Sequence, residues 1–399
     1  MITAKTAITI EELRRLAERR LPSFLFRYVE RGNGNGDGVA RNVAGFARYT
    51  MMARGLRPVV PTDTSRTIFG RRYDLPFGVS AVGGLGMFRP EAEALVAAVA
   101  REFNIPFMLS GMSTQSIDVI ARVAPEHAWC QLYAARDFAL TEQMIARARN
   151  AGVEVLVVSV DYPVPAQSDI PGRTGVSLIG GIDWRKAPSI LADVLRHPAW
   201  TATFLAAGGV PVLESWQPYA PPGSDAAAIC RFIGTAWPPN LVWDDIDRIR
   251  ALWPGRLVIK GLLDPADVAE AYRHGADAAT VSNHGGNRLD ILPAAVDCLP
   301  AARAAAPDGA TLLFDGGIRR GSDVLKALAL GADFCFLGRA FIYAVSAGGR
   351  DGAARAVELL RKELAYAQAM VGSADLSTVG PELIFDRPPM AAPPGPARG

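Results

Sequence analysis

The chain has 399 residues, half of them hydrophobic, which is enough for one large barrel or two to three smaller domains. Its 42 Lys and Arg residues nearly balance its 40 Asp and Glu residues, and the formal net charge is +2. Binding to nucleic acid requires a basic surface or a Lys/Arg cluster. The sequence shows neither feature, so we do not expect a nucleic-acid partner.

The cysteines do not form a pattern that holds a metal or a disulfide framework. Cys130, Cys230, Cys298 and Cys335 are far apart in sequence, and none belongs to a CxxC pair. The N-terminus lacks a basic segment followed by an apolar one, and no apolar run is long enough to cross a bilayer. We therefore expect a cytoplasmic protein without a metal site or a membrane span.

Residues 1–70 predict an N-terminal helical segment. Thr9 to Glu12 form a capping-box pattern ahead of periodic leucines, which is typical of the start of a helix. In residues 31–38, glycines alternate with polar or charged residues. This pattern fits neither a helix nor a strand, so it predicts an irregular turn.

Residues 71–372 predict an α/β fold, a (β/α)8 barrel. Short apolar runs, each followed by a helical stretch rich in Ala and Leu, repeat along this part of the chain. Continuous apolar runs are typical of parallel strands buried on both faces, and eight such units close a barrel. The predicted strands are Pro76–Val82, Pro106–Ser110, Ala128–Tyr133, Glu154–Val160, Leu257–Lys260, Ala278–Ser282, Leu312–Asp315 and Phe334–Leu337.

Residues 162–242 interrupt this repeat between the fourth and fifth strands. The insertion is rich in proline and contains Trp184, Trp200, Trp216 and Trp237. A long loop that leaves the carboxyl end of a barrel strand lies where active sites are built. It therefore predicts a lid or substrate wall, with an oligomer interface as the alternative. Residues 373–399 are a C-terminal extension whose composition predicts disorder from about residue 386.

Polar side chains follow the predicted strands, at the end of a barrel where active sites lie. These residues are Ser110, Gln131, Tyr133, Ser159, Asp161, Lys260, Ser282, His284, Asp315 and Arg339.

Two segments among these strand ends predict specific chemistry. The glycines and arginines of residues 315–321, together with Gly338 and Arg339, predict a phosphate pocket. His284 lies in a glycine-rich loop and is a candidate proton acceptor, with Asp161 as a carboxylate that orients its ring. Lys260 ends a buried strand, where its charge needs an anionic partner. We interpret His127, His197 and His274 as structural histidines.

With the motifs LPSFLFRYVERG, CQLY, SVDYPV, VIKG, SNHGGNRLD and DGGIRRGSDVLKALALGA, the sequence resembles the FMN-dependent 2-hydroxy-acid oxidase and dehydrogenase family. That family includes glycolate oxidase and the flavin-type lactate and mandelate dehydrogenases. The resemblance implies an FMN-binding barrel, usually a homo-oligomer, that oxidises a carbinol next to a carbonyl. It leaves open whether the electrons pass to oxygen, to a quinone or to a redox protein.

The resemblance also implies a role for each matching residue. His284 is the base, Asp161 stabilises its imidazolium, and Tyr28 and Tyr133 point their hydroxyl groups at the carbonyl end of the substrate. Lys260 stabilises negative charge on the reduced flavin. The implied FMN contacts are Ala81, Val82 and Gly83 against the ring, Ser110, Gln131 and Ser159 along its polar edge, and Ser282, Asp315, Gly316, Gly317, Ile318, Arg319, Gly338 and Arg339 around the ribityl chain and phosphate.

The sequence departs from the family where the substrate carboxylate binds. Ser168 and Asn287 stand at the positions of two family arginines, and Arg288 stands where the family usually has a glutamine. Because consecutive loop residues tend to point in different directions, we do not expect Arg288 to replace the lost arginines. Asn287 offers a donor and an acceptor, which suits a neutral carbonyl.

These departures predict a neutral amide, lactam or peptide-derived substrate. The HGGN variation and the Trp/Pro-rich insertion look like the branch of the family that contains pre-mycofactocin synthase. The alternative is a bulky or aryl 2-hydroxy acid whose carboxylate binds Arg288 or a residue of the insertion. Two further hypotheses are a flavin-binding protein without catalysis and a phosphosugar-binding barrel without flavin. The combination of His284, Asp161 and Lys260 argues against both of them.

Overall fold

The computed structural model describes residues 2–164, 174, 176–177, 181–237 and 241–385. Three helices come first along the chain, and a short antiparallel hairpin follows them. The helices are α1 (Ile10–Arg20), α2 (Ser23–Arg31) and α3 (Asp37–Gly45), and the hairpin strands are β1 (Arg66–Ile68) and β2 (Arg71–Tyr73).

Eight parallel strands close into a barrel, as the sequence predicts. Each predicted run overlaps one of these strands, and most of their residues are buried because the interior of the barrel and the surrounding helices cover both faces. The barrel strands are β3 (Phe77–Val79), β4 (Phe107–Leu109), β5 (Ala128–Leu132), β6 (Val155–Ser159), β9 (Arg256–Leu262), β10 (Ala278–Val281), β11 (Thr311–Asp315) and β12 (Phe334–Leu337). In the insertion, β7 (Val176–Ser177) pairs with β8 (Gly181–Ile182).

Helices follow most of the barrel strands and surround the barrel, and further helices belong to the described part of the insertion. Their order along the chain is α4 (Ala92–Glu102), α5 (Ile117–Val123), α6 (Phe138–Asn150), α7 (Ala187–Leu195), α8 (Pro198–Ala206), α9 (Ala226–Ala236), α10 (Trp243–Leu252), α11 (Pro265–Arg273), α12 (Ala295–Ala305), α13 (Gly321–Ala329) and α14 (Arg339–Met370). Of these, α7, α8 and α9 belong to the insertion.

Apolar side chains fill the interior of the barrel. Trp129, Phe334 and Phe336 pack together there, and the ring centroids of Trp129 and Phe336 lie 5.1 Å apart. The hairpin of β1 and β2 closes the end of the barrel at which the strands begin, where Phe69 contacts Trp129. The hairpin covers this end, so the opposite rim, where the strands end, is the open end of the barrel and the usual place for a site.

The described part of the insertion packs on that rim through a small core of its own. Leu213, Trp216, Ile233 and Trp237 form this core, and Tyr133 at the end of β5 belongs to the same cluster. The Trp216 indole donates a hydrogen bond of 2.9 Å to the Gly111 carbonyl oxygen, just after β4. The insertion therefore forms a wall over the strand ends. The disorder predicted from about residue 386 lies outside the described residues.

Candidate active site

A paired histidine and aspartate lie at the rim. Asp161 follows β6 and His284 follows β10, and their Oδ2 and Nδ1 atoms are 2.9 Å apart. Burial raises the pKa of Asp161, but the nearby His284, Lys260 and Arg288 lower it more, so it falls below its ordinary value. An ionised Asp161 accepts a hydrogen bond from Nδ1–H of His284, and this tautomer leaves Nε2 free to accept a proton.

The backbone conformation of the loop after β10 orients the His284 side chain toward Asp161. His284 and Gly285 both lie in the left-handed region, with φ of 57° and 65°, a conformation that costs little for glycine but is strained for histidine. The Ser282 hydroxyl accepts a hydrogen bond of 3.1 Å from the His284 backbone N–H and supports this turn. Strain of this kind is typical of functional sites.

Two tyrosine hydroxyl groups face Nε2 of His284. The Tyr133 oxygen lies 3.4 Å from it and the Tyr162 oxygen 3.5 Å from it. Burial raises the pKa of Tyr133, which therefore keeps its proton near neutral pH. The sequence predicts Tyr133 but misses Tyr162, although Tyr162 directly follows Asp161 in the SVDYPV motif.

A buried ion pair crosses the rim beside this group. The Lys260 ammonium lies 2.7 Å from Oδ2 of Asp315, and the Ser80 hydroxyl donates to the same oxygen at 2.9 Å. Ser282 donates to the other Asp315 oxygen and accepts from Lys260. Burial lowers the pKa of Lys260, but the Asp315 and Asp161 carboxylates raise it more, so this ammonium stays charged.

Two guanidinium groups meet at a glycine turn after β11. Gly316 and Gly317 have φ of 126° and 84°, and Arg319 and Arg339 line the same cavity as these glycines. Burial and the neighbouring Arg319 lower the pKa of Arg339 to about 10. Neither guanidinium has an ion-pair partner in the described ranges, so an anion bound here would relieve their repulsion.

One cavity joins the glycine turn, the Lys260–Asp315 ion pair and His284. Most of the predicted site residues line it, and the structure adds several that the sequence analysis missed. The predicted residues on its wall are Tyr28, Ala81, Val82, Gly83, Tyr133, Lys260, His284, Asn287, Arg288, Asp315, Gly316, Gly317, Ile318, Arg319, Gly338 and Arg339, and the added ones include Ser80, Met112, Tyr162, Leu213 and Trp237.

The other predicted residues lie behind this wall or beyond the described ranges. Gln131 accepts a hydrogen bond of 2.9 Å from the Gly111 backbone and one of 3.4 Å from Ser110, and its Nε2 atom is buried with no partner. Ser159 lies beside Tyr133 and Tyr162. Ser168 falls outside the described residues, so the structure says nothing about it.

Arg288 is on the cavity wall, contrary to the expectation from its place in the loop. Asn287 and Arg288 both line the cavity, because the chain turns tightly after His284. The Asn287 side-chain oxygen accepts a hydrogen bond of 3.4 Å from Arg339. The Arg288 guanidinium carbon lies 3.0 Å from the centre of the Tyr162 ring. Asn287 is thus partly satisfied within the protein, whereas Arg288 presents a partly buried positive charge whose Nε atom has no hydrogen-bond partner.

The N-terminal segment holds this loop in place. Backbone N–H groups of the glycine-rich turn donate to the Asp290 carboxylate, with distances of 2.7 Å from Asn35 and 3.1 Å from Gly38. The Asn33 side chain donates to the Arg288 carbonyl oxygen. The turn therefore binds a carboxylate of the protein itself, and it brings α2 with Tyr28 to the mouth of the cavity.

The remaining sequence expectations concern groups outside this site. His127, His197 and His274 each hydrogen-bond to nearby backbone or side chains away from the cavity. Within the described ranges, no group of three or more candidate side chains could hold a metal. In the same part of the chain, no helix has both the length and the apolar character needed to cross a membrane.

Comparison with known proteins identifies relatives over nearly the whole chain. Residues 17–386 match the family described as FMN-dependent dehydrogenase. The chain is 35% identical to an L-lactate dehydrogenase of Caulobacter vibrioides over 95% of its own length and 98% of that protein's. The structure of a monotopic membrane protein, (S)-mandelate dehydrogenase, matches with a TM-score of 0.90 and 28% identity, covering 96% of this chain and 100% of that one.

A further structural match concerns a mandelate oxidase variant in which an arginine is replaced by leucine. It was solved with 2-hydroxy-phenylacetamide and matches with a TM-score of 0.78 and 30% identity, covering 95% of this chain and 98% of that one.

We predict that breaking the buried ion pair strongly destabilises the protein. Lys260→Met leaves Asp315 as an uncompensated buried charge, and we expect the free energy of unfolding to fall by about 3–5 kcal/mol. Adding Asp315→Asn should recover part of this loss because it removes that charge. Arg72→Met, which breaks an exposed pair with Asp63, should cost no more than about 1 kcal/mol. Equal losses for Lys260→Met and Arg72→Met in chemical denaturation would contradict this.

Proposed function

Because the chain belongs to the FMN-dependent dehydrogenase family, we propose that it oxidises the carbinol of a bulky or aryl 2-hydroxy acid and binds the substrate carboxylate through Arg288. The family assignment confirms three predictions from the motifs: the FMN dependence, the barrel and the oxidoreductase class. The observation that carries the proposal is the partly buried Arg288 guanidinium, which lines the same cavity as His284 and has no carboxylate partner in the described ranges.

The residues present suit FMN. Its phosphate needs positive charge and exposed backbone N–H groups, and Arg319, Arg339 and the glycine turn supply them. The unpartnered Nε2 atom of Gln131 offers a donor for the polar edge of the flavin ring. Lys260 would lie near the ring and place a positive charge where the reduced form becomes negative. When bound, FMN would accept the two electrons of the carbinol C–H bond together with its hydrogen.

Side chains of the protein accept the hydroxyl proton of the substrate and stabilise the resulting charge. Nε2 of His284 takes the proton from the carbinol hydroxyl, because Nδ1 is held by Asp161. The ionised Asp161 then stabilises the imidazolium that forms. Tyr133, kept neutral by burial, and Tyr28 at the mouth of the cavity donate hydrogen bonds to the carboxylate end of the substrate.

Arg288 supplies the positive charge that the substitutions at Ser168 and Asn287 remove. A carboxylate in this cavity would satisfy a guanidinium whose Nε atom is buried without a hydrogen-bond partner. The relatives include L-lactate and (S)-mandelate dehydrogenases, which favours an acid as the substrate. The first prediction from the sequence, a neutral amide or lactam as in pre-mycofactocin synthase, is not confirmed, and the hydroxy-acid alternative fits better.

A neutral 2-hydroxy amide is the second candidate, and one observation favours it. The mandelate oxidase variant that lacks an arginine was solved with such an amide, and this chain lacks two family arginines. Asn287 could then donate to the amide carbonyl. Arg288 opposes this second candidate, because a neutral substrate leaves its partly buried charge without a carboxylate partner.

Apolar and aromatic residues of the cavity wall would contact the substrate side chain. Met112, Leu213 and Trp237 line the cavity beside Tyr133, and apolar and aromatic side chains suit a bulky or aryl group.

Three predictions from the sequence stay proposals: a cytoplasmic location, a homo-oligomer, and an electron acceptor that is oxygen, a quinone or a redox protein.

We predict that Arg319 binds the FMN phosphate. Arg319→Gln should weaken FMN binding by about tenfold or more, because a charge-assisted contact is lost, and should leave riboflavin binding unchanged. Arg320→Gln is the matched control, since Arg320 pairs with Glu363 outside the cavity. Both affinities are measured by flavin titration of the apoprotein. An equal loss for FMN and riboflavin would contradict the phosphate role.

We predict that Arg288 distinguishes an acid from its amide. Arg288→Gln should lower kcat/KM for mandelate by roughly a hundredfold, because the carboxylate loses its counter-ion, and should change kcat/KM for mandelamide by no more than about twofold. Arg122→Gln, at an exposed position, is the control, and FMN content verifies that each variant is folded. An equal effect on both substrates, or no effect on either, would contradict the proposal.

A further inference from the structure

Tyr162 contacts both the base and the carboxylate anchor of the proposed site. One face of its ring lies 3.0 Å from the Arg288 guanidinium carbon. Its ring centre is 4.9 Å from that of His284 in a T-shaped contact, and its hydroxyl oxygen is 3.5 Å from Nε2. The same side chain therefore spans the two groups that a 2-hydroxy acid must reach together.

The guanidinium of Arg288 depends on this ring for its position. In the described part of the chain, Arg288 forms no ion pair with a carboxylate, and its Nε atom has no hydrogen-bond partner. Burial lowers the pKa of Arg288, while Tyr133, Asp161 and Tyr28 act in the opposite direction. A cation on the face of an aromatic ring is stabilised most when water is excluded. Tyr162 supplies that face.

The ring of Tyr162 is itself held firmly. Trp237 lies 4.8 Å from it and Tyr133 lies 5.0 Å from it, measured between ring centres. Trp237 belongs to the core of the insertion, so the insertion supports this side chain from behind. A ring packed on several sides provides a fixed platform, and a long Arg side chain placed on it loses its alternative rotamers before substrate binds.

We propose that Tyr162 is a positioning residue that sets the distance between the Arg288 guanidinium and Nε2 of His284. This inference rests on the proposed function. Its consequence is a preference for substrates in which the carboxylate is attached directly to the carbinol carbon. A 3-hydroxy acid places an extra carbon between these groups, so we expect it to match the spacing of Arg288 and His284 less well than a 2-hydroxy acid does.

A double-mutant cycle on the FMN-loaded enzyme tests this inference. The ligand is phenylacetate, a carboxylate without a carbinol, and its Kd is read from the change in flavin absorbance. Tyr162→Leu should weaken binding by about tenfold, and Tyr162→Phe, which keeps the ring, by no more than about threefold. In an Arg288→Gln background, Tyr162→Leu should have no further effect, because it acts through Arg288. Tyr366→Leu, at an exposed position on α14, is the matched control.

Turnover provides the second readout. Tyr162→Leu should raise KM and lower kcat/KM for mandelate, and it should reduce the ratio of kcat/KM for 2-hydroxy acids to kcat/KM for 3-hydroxy acids. Additive effects of Tyr162→Leu and Arg288→Gln on phenylacetate binding, or an equal loss in Tyr162→Phe and Tyr162→Leu, would overturn the inference. If the wild type binds phenylacetate but mandelate does not reduce its flavin, the proposed function fails, while the binding cycle still tests the role of Tyr162.

Discussion

Charge buried at one end of a closed barrel is the constraint on which the site depends. The interior of the barrel is filled with aromatic and aliphatic side chains, so polar groups on its axis gather where the strands end. There, Lys260 pairs with Asp315 and His284 pairs with Asp161. Within each pair, the two opposite charges compensate each other. The guanidinium groups of Arg288, Arg319 and Arg339, by contrast, have no carboxylate partner in the described ranges. We interpret the unpaired cations as places where FMN and substrate supply negative charge.

The fold and the catalytic pair could be predicted from the sequence because their signals are local. A strand buried on both faces reads as an unbroken apolar run, and all eight runs overlap observed strands. His284 and Asp161 stand directly after such runs, where side chains reach the rim. The glycines near Asp315 likewise mark a turn with positive φ.

The substrate side of the cavity could not be predicted, because it depends on packing between distant segments. Tyr162 and Trp237 look like ordinary core aromatics in sequence, and they become part of the cavity only when the insertion folds back on the rim. The orientation of Arg288 depends on the tight turn after His284 and on the Tyr162 ring. The rule that neighbouring loop residues point apart favoured a neutral substrate, whereas the structure places both Asn287 and Arg288 on the cavity wall.

The most direct test of the central claim is anaerobic reduction of the flavin in the wild-type enzyme by mandelate and by mandelamide. The two molecules differ in the charge of the group next to the carbinol carbon, so the comparison isolates the contribution of a carboxylate. A site in which Arg288 binds the carboxylate predicts faster reduction by mandelate. Faster reduction by mandelamide would contradict this account and would identify the enzyme as one that oxidises a neutral carbonyl compound.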